Sequence, residues 1–336
     1  MLSKFTGLLI LFLSIIAEAQ QLSGTVIDAK TKEPIEMVVV YFDGTTVGTT
    51  TNSKGKFVIN YSEAIKSPLI ISYLGYNKII IEDYREKTQI QVALEEALYI
   101  LEEVVINYDD GLTRKQKLIM FRREFLGTSD FAKSCKILNE EDLILRYSKN
   151  NQRLTASAKA PLQIINKALK YRITYELIDF EVIYRHANIQ TNDFVMYAVT
   201  FYGTSFFENL DKKNRRRVRK LRDKAYHGSK LHFMRSLYQR RLNEEGYSVF
   251  FDKFRVNEWD YFSLEPMANE SAIKKVKLKE KVAILYKKEQ QSLMFLEIPE
   301  FYVDAYGNYN PIKGVYFSGA LGYQRAGDML PSNYGL

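Results

Sequence analysis

The densest chemistry in this chain lies between Lys212 and Lys224, where nine of thirteen residues are basic. Lys212, Lys213, Arg215, Arg216, Arg217, Arg219, Lys220 and Arg222 are the candidate anion-binding residues. An arginine's planar fork pairs bidentately with phosphate or carboxylate, so the run suits an anionic lipid, a lipopolysaccharide or a glycan. The plainer reading is a helix or loop whose charges stay hydrated. Inside a cell the same run would point to nucleic acid, because Lys and Arg contacts to phosphate dominate that affinity. An export leader argues against it, so no nucleic-acid partner is expected.

Little else reads as catalytic. The histidines are His186, His227 and His232, and none stands in an H-E-x-x-H frame. On one helix His227 and His232 would lie about 140° apart, too far around to share a metal. Ser229 sits between them, but Gly228-Ser229 reads as the start of a helix through Leu242 with Ser229 as N-cap. There is no G-x-S-x-G elbow, no P-loop and no G-x-G-x-x-G. No catalytic residue, metal or cofactor is assigned, and the chain is expected not to be an enzyme. Cys135 is the single cysteine, so no disulfide forms within the chain. Its amphipathic surroundings predict a buried, inert thiol. Among 24 Tyr, 20 Phe and one Trp, Trp259 is the candidate aromatic platform for a sugar ring. The other aromatics are expected in strands and core.

These residues need a scaffold and a compartment. Lys4 precedes an apolar stretch from Gly7 to Ile16, and Ala17 and Ala19 frame a cleavage position before Gln20. That order predicts a signal peptide over residues 1–19, too short to cross a bilayer. No Cys follows that would carry a lipid. The expected location is exported, in the periplasm or associated with the outer membrane. Charge is unevenly spread. Residues 20–106 hold 8 basic against 12 acidic residues, so the net +8 belongs to the later part of the chain. Such asymmetry points that part at an anionic surface.

Residues 22–106 read as short strands between turn signals, the pattern of a β-sandwich. Leu22–Asp28 and Met37–Phe42 are strands, and Asn52-Ser-Lys-Gly55 is a turn between two more. Leu69–Tyr73, Lys78–Glu82, Gln89–Leu94 and Glu103–Ile106 complete the set. Gly24, Pro34, Gly48, Gly55, Phe57, Ser72, Gly75 and Tyr76 fall in an order and spacing that resemble the carboxypeptidase-like regulatory domain. The segments LIISYLGY and ILEEVVI strengthen the likeness. The resemblance implies an all-β transthyretin-like (prealbumin-like) sandwich over residues 20–106. It also implies an accessory module at the front of exported Gram-negative proteins, TonB-dependent receptors among them, with no peptidase site. The residues that follow are too few for a receptor's plug and barrel.

After a polar linker, residues 107–113, a basic α+β domain is expected over 114–336. Leu118, Phe121, Phe125 and Leu126 mark one face of a helix ending at Gly127. A short helix capped at Ser129 or Asp130 is expected through Cys135, and another from Pro161 to Lys170. Strands are expected at Tyr171–Tyr184 and Phe194–Tyr202, a hairpin pair at Val282–Tyr286 and Met294–Ile298, and an aromatic strand at Gly314–Tyr323. The segments FLGTSDFAKSCKILN, APLQIINKALKYRITYELIDF and AYHGSKLHFMRSL resemble the companion region of an uncharacterised exported Gram-negative family. The fold class expected is therefore multidomain, an all-β sandwich followed by an α+β domain. The expected role is a non-catalytic accessory protein of the cell envelope, with an envelope or outer-membrane protein as partner. The alternatives are a hydrolase of envelope polymers, or a partner that docks its sandwich on a TonB-dependent receptor by strand addition. A pocket of convergent ionisable groups would favour the hydrolase. A flat basic face beside a sheet edge would favour binding.

Overall fold

The computed structural model describes residues 19–62, 65–97, 111–188, 191, 193–267 and 270–336. Apart from Ala19, the expected leader lies outside the described residues, as do the strand at 103–106 and residues 107–110 of the linker. The molecule is mostly β, in several sheets.

Among the described residues the first unit has seven strands: β1 (Ala19–Asp28), β2 (Val39–Phe42), β3 (Gly48–Thr50), β4 (Lys56–Ser62), β5 (Leu69–Ser72), β6 (Ile79–Ile81) and β7 (Gln89–Leu94). They form two facing sheets, β4-β1-β7 and β3-β2-β5-β6. Strict alternation in β4 buries Phe57, Ile59 and Tyr61 and leaves their neighbours in water, as a half-buried strand requires. Phe42, Tyr61 and Tyr84 meet ring to ring at 5.0–5.4 Å in the centre of the core. The Asn52–Gly55 turn forms as its residues dictate. The Asn52 carboxamide oxygen accepts from the Lys54 and Lys56 amides. Gly55 has φ +68°, and a Cβ there would stand 2.4 Å from the Val26 carbonyl. The Asp28 carboxylate accepts from the Lys30 and Thr31 amides and the Tyr76 hydroxyl. The Thr31 amide and the Tyr76 hydroxyl are the main reasons its carboxyl is held down at about 2.

The second hydrophobic core begins at Leu112, which is buried. Helix α1 (Arg114–Phe125) opens on a capping box between Thr113 and Gln116. Helix α2 (Asp130–Lys133) is capped by Ser129, and it ends two residues before Cys135, where β8 (Cys135–Ile137) starts. Next come β9 (Leu143–Ser148), β10 (Arg153–Ala158), β11 (Leu162–Asn166), β12 (Tyr171–Asn188) and β13 (Asp193–Asn209). They make one sheet, β8-β11-β12-β10-β9, with β13 also paired to β12. Phe121 and Phe125 of α1 pack on Phe180, Tyr175 and Phe201 from this sheet, with ring centroids 4.8–5.3 Å apart. The helix expected over Pro161–Lys170 is instead β11 and a turn. Leu162, Ile164 and Asn166 are buried while Gln163 and Ile165 are half-buried, a period of two. Lys170 closes the turn at φ +55°.

Helices α3 (Arg216–Tyr226) and α4 (Lys230–Tyr238) lead to a third core. Its sheets hold β14 (Tyr247–Phe251), β15 (Phe254–Val256), β16 (Phe262–Met267), β17 (Glu270–Leu278), β18 (Val282–Tyr286), β19 (Gln290–Leu296), β20 (Phe301–Asp304), β21 (Tyr309–Asn310) and β22 (Val315–Ser318). The orders are β15-β14-β18-β19-β22 and β16-β17-β20-β21. Phe233, Met234 and Leu237 of α4 are fully buried against both sheets. Ser229 is the N-cap of α4, as expected. The aromatic strand expected through Tyr323 stops at Ser318 and turns into a helical turn, α5 (Gly319–Gly322).

The first unit is bonded to the rest along a seam. The loop after β2 runs beside β13, with Gly44 donating to the Ser205 carbonyl (2.7 Å) and Phe207 to the Thr45 carbonyl (3.0 Å). Ser205 donates to the Asp43 carboxylate (2.7 Å), and the Tyr41 ring lies tilted against Phe206, centroids 5.1 Å apart. From the far end of the chain Ser332 donates to the Gly44 carbonyl (2.7 Å). Asn333 both accepts from and donates to Thr46.

Candidate functional site

The basic run divides into side chains that face water and side chains that do not. Asp211, itself 2% exposed, accepts from the Arg215 amide (2.7 Å) and from Arg215 Nε (2.6 Å). That pairing starts α3 in place of an ordinary capping side chain. Arg222, expected among the anion ligands, points inward and is 7% exposed. Its guanidinium donates to the Leu169 and Lys170 carbonyls and the Asn209 side chain, and it lies 3.9 Å above the Tyr171 ring. It is therefore withdrawn from any external anion. Lys212, Lys213, Arg216, Arg217, Arg219, Lys220 and Lys224 are exposed. None has an ion pair or side-chain hydrogen bond with a described residue. Arg216, Arg217, Lys220 and Lys224 line one shallow groove with Leu221, as spacings of three and four residues on a helix require.

The histidines come closer than helical spacing implies. His227 lies beyond the end of α3, so its ring meets His232 at 5.3 Å, centroid to centroid. His232 is 2% exposed. Its Nδ1 accepts from the Gly228 amide (3.1 Å), and its Nε2 faces Glu245 (3.3 Å). Burial lowers its pKa, against the opposing pull of Glu245. The Ser229 hydroxyl accepts from the His232 backbone amide (3.0 Å), so it serves the helix as a cap. Among the described residues no group of three His, Cys, Asp or Glu side chains is arranged to hold a metal ion.

Two further expectations concern single residues. Cys135 is half-buried, its thiol bonded to the Phe131 carbonyl, and burial pushes its pKa up to about 12. A thiol so protonated is a poor nucleophile. Trp259 is half-buried, and the Arg240 guanidinium lies 4.7 Å over its ring. That face of the indole is already occupied.

The cavity that sequence reasoning missed lies at the seam. A cleft of about 360 Å³ is walled by β13 from Val199 to Gly203, the start of α4, the loop at Gly307–Tyr309, β22, the segment Arg325–Leu330, and Gly44 of the sandwich. Its walls are mostly apolar, with Lys230, Arg325, Asp328 and Ser332 among the polar groups. Gly203 is required in this wall, because a Cβ there would stand 1.9 Å from the Glu176 carbonyl. Asp328 accepts from the Ser129 hydroxyl and the Arg325 amide. Arg325 is held by the Gly322 and Gln324 carbonyls. Burial, with repulsion from Arg325, brings the Lys230 amine down to about 8. Burial likewise raises Asp328. These groups come from segments far apart in the sequence, and no local motif announces them.

Comparison with known proteins adds a domain and no reaction. No curated protein matches the chain. Among solved structures it is similar to a 9R-lipoxygenase from Cyanothece PCC8801, at 10% identity over 70% of this chain and 50% of that one, with a TM-score of 0.20. The chain thus spans half of that lipoxygenase. A Bacteroides fragilis NCTC 9343 protein of unknown function is similar at 12% identity over 90% of this chain and 95% of that one, with a TM-score of 0.19. The family model of the CarboxypepD_reg-like domain matches residues 22–106, which takes in all but the first residues of the seven-stranded sandwich.

Proposed function

We propose that this protein is a non-catalytic accessory protein of the cell envelope that binds anionic envelope polymers or lipids through α3. In this reading the sequence from Lys4 to Ala19 exports the chain to the periplasm or outer membrane. The sandwich is the transthyretin-like accessory module, and the α+β remainder carries the binding face. One observation supports it above others. Seven cationic side chains, Lys212, Lys213, Arg216, Arg217, Arg219, Lys220 and Lys224, project from one short segment with no acidic partner among the described residues. Like charges so crowded repel one another, and an external anion relieves the repulsion. Phosphates of lipopolysaccharide or acidic lipid headgroups supply such anions. The test is sedimentation with anionic phospholipid vesicles at low and high salt. Wild type should co-sediment at low salt and be released by salt, as screening demands. The variant Arg216→Gln/Arg217→Gln/Arg219→Gln/Lys220→Gln should stay in the supernatant. Equal sedimentation of both would overturn the reading.

A further inference from the structure

The geometry points to a second ligand site, separate from the basic face of α3: the seam cleft is built to hold a small apolar monocarboxylate, its body among the aromatic and aliphatic walls and its carboxylate against Lys230. Four observations carry this. The volume, about 360 Å³, falls within the ~300–1,000 Å³ usual for small-ligand sites. Val199, Phe201, Leu231, Val315, Phe317 and Met329 give it an apolar lining. The charges set into that lining are Lys230, Arg325 and Asp328, which leave one net positive charge. Lys313, at another wall, is paired with Asp179 outside the count. One surplus positive charge matches a monoanion better than a phosphate dianion. Finally, the Ser332 hydroxyl is a buried group with no partner among the described residues. The residue is 6% exposed, its Oγ has no hydrogen-bond partner among the described residues, and the residue lines the cleft beside Gly44. A buried hydroxyl left unsatisfied costs ~1–3 kcal/mol, which a ligand oxygen or a ligand-ordered water would recover.

Ser332 cannot simply swing away. Its amide donates to Gly44, and its carbonyl accepts from Arg235 at 2.6 Å. Lys230 is similarly fixed at the backbone, donating to the Gln324 side chain, while its amine has no hydrogen-bond partner among the described residues. The titratable groups around that amine are Arg325 and Asp328, with Tyr175, Tyr202, Tyr309 and Tyr316 in the lining. Above the lysine's folded-state pKa of about 8, the free protein must take up a proton to bind a carboxylate.

Decanoate and decanol are suitable probes, titrated into the full chain below their aggregation limits by calorimetry, with thermal melting as the folding control. Decanoate should bind wild type. Lys230→Met should weaken decanoate at least tenfold and leave decanol unaffected. Ser332→Ala should weaken it by a smaller factor. In wild type the affinity should fall about tenfold per pH unit above the lysine's titration. In Lys230→Arg it should hold steady across the same range, which decides the matter if the Met variant fails to fold. The four-fold Gln variant of α3 should bind decanoate as wild type does. Absence of binding to folded wild type, an unchanged affinity in folded Lys230→Met, or loss of binding in the α3 variant would each overturn the proposal.

Discussion

Two populations of charge divide this molecule, and one helix contains both. Arg216, Arg217, Arg219 and Lys220 stand in water, bonded to nothing described. Arg222, on the same helix, is folded under the chain, with three oxygen acceptors and the face of a tyrosine. Arg235 belongs to the second kind, spending its guanidinium on the carbonyls of Tyr306, Ser332 and Tyr334. Buried arginines here replace missing backbone partners, because a carbonyl away from water needs a donor. Exposed ones are free to meet a ligand. Residue type does not separate the two uses; depth does.

Substitutions at three depths separate these two populations. The largest effect should come from Arg222→Ala, which strands the Leu169 and Lys170 carbonyls and Asn209 and uncovers Tyr171. A loss of about 4 kcal/mol is expected in urea unfolding. Arg222→Lys should restore only part, since an ammonium lacks the planar fork. A loss below about 1 kcal/mol, the usual range for an exposed ion pair, would erase the distinction drawn between the two populations.

The next effect is smaller and opposite in sign. Burial raises the Asp43 carboxyl to about 6, against the pull of the Ser205 and Gly44 amides. Its folded pKa thus exceeds its unfolded value. The stability it contributes is complete at low pH and is lost as pH rises from about 4 to about 6. Asp43→Asn keeps an acceptor for those amides and removes the buried charge. It should stabilise the protein by about 2 kcal/mol at neutral pH and by almost nothing at pH near 4. Denaturant midpoints at both pH values check this. Destabilisation at neutral pH would mean that the carboxylate, and not its oxygen alone, holds the seam.

The smallest effect concerns the exposed set. Each glutamine in the four-fold α3 variant should change stability by no more than about 0.5 kcal/mol, measured by the same unfolding curves. A much larger loss would show that these side chains hold structure, leaving less room for a binding role.

Much of the scaffold was legible because short-range rules govern it. Ser129 and Ser229 announced their helices as caps, and Gly55 its turn. Tyr171 onward showed a strand by its period, and the Val282 hairpin did the same. The misreading at Pro161 has a local cause. A proline before an apolar stretch fits a helix start as well as a strand, and the alternation of Leu162, Ile164 and Asn166 decides it only once the partner strand is known. The inward turn of Arg222 was hidden because a basic run carries no mark of which member meets a carbonyl. The cleft was hidden for a deeper reason. Gly44, Gly203, Lys230 and Ser332 become neighbours through tertiary packing alone, so no window of sequence contains the site.

The bonds between Thr46 and Asn333 join residues 287 positions apart. The sandwich emerges long before Asn333, and domains generally fold in the order they emerge. The β2–β3 loop therefore completes its bonds only once β13, and then Ser332 and Asn333, reach it. Ser332 and Asn333 thus act as a clasp on the first domain, reached from a part of the sequence far from it.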